Sequence, residues 1–166
     1  MSRIPFDALP DHARLWIFAA DRPLDAGEQH QLTQAVEHGL ADWNAHGSPV
    51  RWAYSLLREQ FLLVAVDETH TALSGCSIDR AVREIRNLEG TLGVSLLDHG
   101  RVFYRDGDAV RAVSRPEFRS LAERGAVDAG TLVFNNVLAT VGEFRKGLWE
   151  VPVRDSWHRS AFPIRA

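Results

Sequence analysis

The stretch "FLLVAVD", Phe61–Asp67, constrains the fold more than any other part of this chain. It is a short apolar run, rich in aromatic and β-branched residues, that ends on an acid. Runs of this length and composition read as buried strands. "VRWAYSLL" stands before it, across a short "REQ" turn, and alternates as a strand of its own. The two together predict an antiparallel hairpin.

The elements around this hairpin follow from periodicity and punctuation. "RLWIFAA" reads as a strand with Leu15 and Ile17 on one face and Trp16 and Phe18 on the other. Asp25 is placed to cap a helix, with Glu28 at the capping-box position. Leu32, Val36, Leu40 and Trp43 recur at helical spacing and carry that helix to about Asn44. Gly47 and Pro49 in "AHGSP" then end it. A second stripe, Ile78, Val82, Ile85, Leu88 and Leu92, predicts a helix that begins near Ile78 with Ser77 as its cap and stops at Gly93. "RVFYR" and "AVRAV", joined by "DGD", predict a second hairpin.

The order strand, helix, strand, strand, helix, strand is that of a split βαβ unit. The expectation is an α+β fold: a single domain, residues 1–166, with a ferredoxin-like βαββαβ core extended by an additional hairpin and C-terminal elements. The sheet-and-helix core spans 14–113, and 114–166 is an extension packed on it. In that extension Ser114, Glu117 and Gly125 mark a compact helix. "TLVFNN" reads as a short strand, and Val137–Trp149 as a segment that includes a helix.

Composition narrows the function classes. Apolar residues make up 45% of the 166, enough for a core. A net charge of −3 argues against a dedicated nucleic-acid binder, whose affinity comes from a basic face. Lys146 is the only lysine, so any Schiff-base lysine would have to be Lys146. One cysteine excludes an intramolecular disulfide and a cysteine-rich zinc site. No run approaches the roughly 18 apolar residues that a membrane span needs, and no signal-peptide pattern opens the chain. The expected address is cytoplasmic. No cofactor motif is present: both GxxxxGK[ST] and GxGxxG are absent.

The candidate sites centre on "SGCSIDR", Ser74–Arg80. Gly75 permits close backbone approach. Ser74 and Ser77 offer hydroxyls, and Arg80 offers charge, so a small anionic ligand could meet the helix entrance. Cys76, the lone cysteine, could instead serve as a thiol nucleophile with His70 or His158 as base. His46 is a further histidine to weigh as base. Against that chemistry stands the ordinary fate of a lone cysteine, which is burial. Asp67 and Glu68 follow a buried strand and, with Asp79, offer hard oxygen ligands for a metal-assisted hydrolase. Asn135 and Asn136 close an apolar stretch and could orient a ligand or tie a loop. Trp157 and His158 in "DSWHRS" read as a staple for the C-terminal tail, with a homodimer or a protein partner as the other use for such an aromatic. The reading is an accessory or small-ligand-binding protein, with the thiol enzyme and the metal hydrolase as alternatives.

The blocks "FLLVAVDE", "SGCSID", "TLVFNN" and "SWH" together resemble a small bacterial family of uncharacterised proteins, some of which carry the label "ABC transporter ATPase". The resemblance covers roughly residues 14–162 and implies no residue roles. The label has no support in the chain, which lacks a Walker A loop.

Overall fold

The computed structural model describes residues 2–40, 44–45, 48–69 and 75–165. In chain order they form β1 (Ser2–Arg3), β2 (Arg14–Ala19), α1 (Ala26–Leu40), β3 (Asn44–Ala45), β4 (Ser48–Pro49), β5 (Arg51–Leu57) and β6 (Phe61–Asp67). There follow α2 (Gly75–Leu92), β7 (Arg101–Asp106), β8 (Ala109–Ser114), α3 (Arg115–Glu123), β9 (Leu132–Phe134), α4 (Val141–Arg145), β10 (Glu150–Pro152) and α5 (His158–Ala161). The fold is mixed α+β. No helix among the described residues is long and apolar enough to cross a membrane.

The strands form two four-stranded sheets, β1-β5-β6-β2 and β10-β9-β7-β8, while β3 and β4 pair only with each other. Both large sheets are antiparallel apart from the two-residue β1, which runs parallel to β5. All seven residues of β6 are buried, because both faces of this strand are covered. Leu62, Val64 and Val66 pack under α1 and α2, against Leu32, Val36 and Ile85. Phe61, Leu63 and Ala65 face the second sheet and meet Phe103, Phe134 and Trp149. The far side of that second sheet carries Val102 and Val133 against Phe118 of α3 and Phe162. The layers therefore run helices, sheet, sheet, helices.

Phe61 is the pivot between the sheets. Its ring stacks on Phe134 at 4.8 Å and meets Trp149 edge-on at 5.0 Å and Phe103 at 5.5 Å. Aromatic pairs in offset or edge geometry at these distances add to the gain from burial. The two helices on the outer face come close at Gly39, where an added Cβ would lie 2.9 Å from the Ala81 Cα.

Both expected hairpins form, β5 with β6 and β7 with β8. Both expected capping boxes form as well. Asp25 Oδ1 accepts from the Glu28 amide at 2.8 Å while Glu28 Oε2 accepts from the Asp25 amide at 3.0 Å. Ser114 and Glu117 make the same reciprocal pair at the start of α3. Gly93 and Gly125 take the left-handed conformation expected of helix stops.

Three local expectations change. The first helix is described as Ala26–Leu40, and Asn44, to which the sequence carried it, belongs instead to a short ladder with Pro49; Trp43 and Gly47 lie outside the described residues. The second helix begins at Gly75, so Ser77 sits within its first turn and does not cap it. Nothing between Gly75 and Ile78 breaks a helix, and the turn propagates back to the glycine. The expected fourth strand of the ferredoxin-like unit, β7, does not lie beside β2; it pairs with β8 and β9 in the second sheet. The far edge of β2 is left without a full strand.

Candidate functional cleft along the β2 edge

That edge lines an open groove. The groove, of about 480 Å³, runs between β2, the Ile78–Arg86 stretch of α2 and the Asn136–Leu138 loop. This is within the size range of small-ligand sites. Its walls are largely apolar, with Ile17, Phe18, Ile78 and Val82 among them. Ile17, His99, Asn136 and Val137 also border a second, smaller cavity of about 40 Å³ that leads inward to Phe134, Trp157 and His158.

The polar groups of the groove share one character. Among the described residues Arg86 and His99 are its ionisable lining residues, while Asp98 and Arg101 border the smaller cavity beside it. Arg86 and His99 are both exposed, and neither makes a salt bridge among the described residues. Asn136 is oriented by Trp149, whose indole N–H donates to Asn136 Oδ1 at 2.9 Å. An indole N–H can only donate, so the amide oxygen must face it and Asn136 Nδ2 is left as a donor for the groove. A cation, an imidazole and an amide donor thus stand over an apolar wall. At the lip Val137 is 70% exposed, an apolar side chain held out in water.

The residues singled out from the sequence fall in several places. Asn136 is in the groove, while Asn135 lies beside it with a buried Oδ1 that has no hydrogen-bond partner. Ser74 and His70 lie outside the described residues, as does His46. Gly75 and Cys76 open α2, and their neighbour Ser77 follows in the same turn; no side-chain detail is described for these three. Ile78 and Val82, one and two turns further along the same helix, are groove walls. Arg80 is half-buried on α2, and Asp79 is exposed there.

Asp67 and Glu68 are engaged with cations and donors. Asp67 is buried, with Arg51 Nη1 at 3.6 Å and His12 Nε2 at 3.5 Å. Burial pushes its carboxyl up, but hydrogen bonds from the Thr69 hydroxyl and amide outweigh that and hold it below the ordinary value. Glu68 pairs with Arg14 at 3.6 Å. No group of three or more His, Cys, Asp or Glu side chains suited to a metal ion occurs among the described residues.

His158 is fully enclosed. Its ring stacks on Trp157 at 3.9 Å and lies among Phe118 and Phe162, while Nδ1 is 2.7 Å from the Ser156 hydroxyl. Burial, aided by the positive charge of Arg115, lowers its pKa to about 4, so the imidazole is neutral at pH 7. Trp157 and His158 thereby hold the C-terminal segment against α3, with the Arg115 guanidinium 5.3 Å from the Trp157 ring.

Arg86, His99 and Val137 were not read from the sequence as site residues. Arg86 carried a signal. It follows Ile78 and Val82 at the next i+4 position and interrupts their apolar row with a charge. His99 and Val137 sit in loops, where no periodicity marks a side chain. No protein-family model, curated protein or solved structure matches this chain.

Proposed function

We propose that this protein is a binding module that holds an acidic ligand with an apolar body in the groove along β2. The observation that carries the reading is the lining: Arg86, His99 and the Asn136 amide donor over an apolar wall, with no carboxylate among the described lining residues. Such a site favours an anion and desolvates the part of the ligand that carries no charge. Because Ile78 and Val82 line the groove, the start of the same helix at Gly75 stands near the ligand in this reading, and an anion there would meet the positive end of the helix dipole.

The fluorescent probe 8-anilinonaphthalene-1-sulfonate combines an apolar ring system with one anionic group. It is expected to bind with saturable, one-to-one stoichiometry and to brighten on binding. Arg86→Gln, which removes a charge-assisted contact, is expected to weaken it by about tenfold. Val137→Glu, which puts a like charge at the lip without touching the core, is expected to weaken it further. Equal probe affinity in all three proteins would refute the groove as the site.

A further inference from the structure

Beside the groove runs the backbone edge of β2, whose Leu15 and Ile17 line the groove and whose Ala19 borders the smaller cavity next to it. β2 lies antiparallel to β6 along its whole length, with Trp16 opposite Val64 and Phe18 opposite Leu62, and the Ala20 amide donates to the Gln60 carbonyl, so the even-numbered residues turn their backbone groups toward β6. The odd-numbered residues of an antiparallel edge strand turn their N–H and C=O groups the other way. The Leu15 amide does so, donating to the Ala139 carbonyl at 2.9 Å. At the far end the Asp21 amide donates to the Ser95 carbonyl at 3.1 Å. Between these two clamps, the Leu15 C=O and both backbone groups of Ile17 and Ala19 form no hydrogen bond among the described residues.

Two backbone amides of residues that line the groove are committed elsewhere. The Leu97 amide donates to Glu89 Oε1 at 2.8 Å, and the Asn136 amide to the Phe134 carbonyl at 3.2 Å. Ile17 is only 4% exposed, so its unpaired groups are not simply spread out in bulk water. A row of unpaired strand groups beside an apolar groove is a template for another strand.

We infer that the ligand of this groove is an extended, acidic peptide segment from a partner protein, which adds to the Ile17–Ala19 edge of β2 as a short extra strand. The inference rests on the groove being the binding site, as proposed above. Backbone complementarity selects a peptide, since only a main chain presents donors and acceptors alternating at strand spacing. The Arg86 guanidinium selects acidic side chains, with the His99 imidazole beside it as a hydrogen-bonding partner. The clamps at Ala139 and Ser95 limit the added strand to a few residues.

The probe is the capped pentapeptide Val-Glu-Val-Glu-Val, with a Val-Lys-Val-Lys-Val control. Two N-methylated forms of the acidic peptide are also needed, one blocking each alternate set of amides. In the free protein the Ile17 and Ala19 amides should exchange with deuterium at least tenfold faster than those of Trp16 and Phe18. Saturating acidic peptide should slow both by at least tenfold and displace the sulfonate probe. One N-methylated form should lose at least tenfold in affinity and the other should bind as the parent does, while the lysine peptide should bind at least tenfold more weakly than the parent.

The outcomes separate the two readings. A peptide that displaces the probe without protecting Ile17 and Ala19, or whose two methylated forms bind alike, overturns strand addition and leaves the groove as a ligand site. Probe binding that no peptide competes with does the same. Failure of the probe itself to bind the groove overturns both. Protection of Ile17 and Ala19 that rises with protein concentration, together with a doubled mass in sedimentation, shows that a second copy of this chain takes the edge and overturns the partner peptide.

Discussion

Protonating His158 should unlock the C-terminal segment, and the size of the effect follows from its surroundings. The pKa falls from 6.5 to about 4 because the folded protein offers the imidazolium little water and places it near Arg115. The unfolded chain therefore takes up the proton first as pH drops. The stability contributed by the neutral ring is fully present above pH 6.5, declines as pH falls towards about 4, and is gone below that. At about 1.4 kcal/mol per pH unit the whole difference is about 3 kcal/mol, of which about 2 kcal/mol is lost between pH 7.5 and 5. The lowered carboxyl groups, Asp67, Glu28, Glu117 and Glu143, act in a more acidic window, beneath their ordinary values of 3.8 to 4.5. Urea unfolding followed by tryptophan fluorescence at pH 7.5 and 5 measures the loss. His158→Gln should start from a lower stability, having lost the ring stack, but should shed about 2 kcal/mol less than the wild type over the same interval. Equal losses in the two proteins would refute the assignment, and so would an imidazole that titrates near 6.5 in a proton NMR series.

Two packing substitutions test the layers. Gly39→Ala places a methyl group 2.9 Å from the Ala81 Cα, so α1 and α2 must move apart; an overpacked contact of this kind costs about 1–3 kcal/mol. Gly90→Ala on the open face of α2 meets nothing within 4 Å and should instead stabilise by about 0.5–1 kcal/mol; thermal denaturation of both that moved in the same direction would contradict the packing described. Phe61→Ala removes the ring between the sheets and should cost about 3–5 kcal/mol in urea. A loss below about 1.5 kcal/mol would mean that the two sheets do not depend on this contact.

How far the sequence carried the fold depended on whether a signal was local. The boxes at Asp25–Glu28 and Ser114–Glu117 are local codes, and each forms as read. The same code stands at Thr140–Glu143 and caps α4, yet it announces a helix of little more than one turn, too short for any apolar stripe to draw attention to it. The start of α2 was misplaced because a serine just before an apolar stripe reads as a cap, whereas Ser77 lies inside a helix that already runs from Gly75. The groove was only partly legible. Asn136 stood out as an amide closing an apolar run, but the role of its oxygen depends on Trp149, thirteen residues away and across a turn.

The partition of strands between two sheets was the least legible feature, and it is the one that makes the groove. Alternation shows which face of β7 is apolar; it does not say whether that strand lies beside β2 or beside β9. A physical constraint was present all the same in "FLLVAVD". With apolar side chains on both faces, β6 needs a layer on each side. Two amphipathic helices cover one face, under which Leu62, Val64 and Val66 lie. The other face, Phe61, Leu63 and Ala65, requires more apolar surface than the turns between those elements contain, and β7 and β9 supply it through Phe103 and Phe134. Drawing β7 into that second layer removes it from the edge of β2. Covering the buried strand and opening the edge strand are thus one structural choice, and the unpaired Ile17 and Ala19 backbone is its consequence.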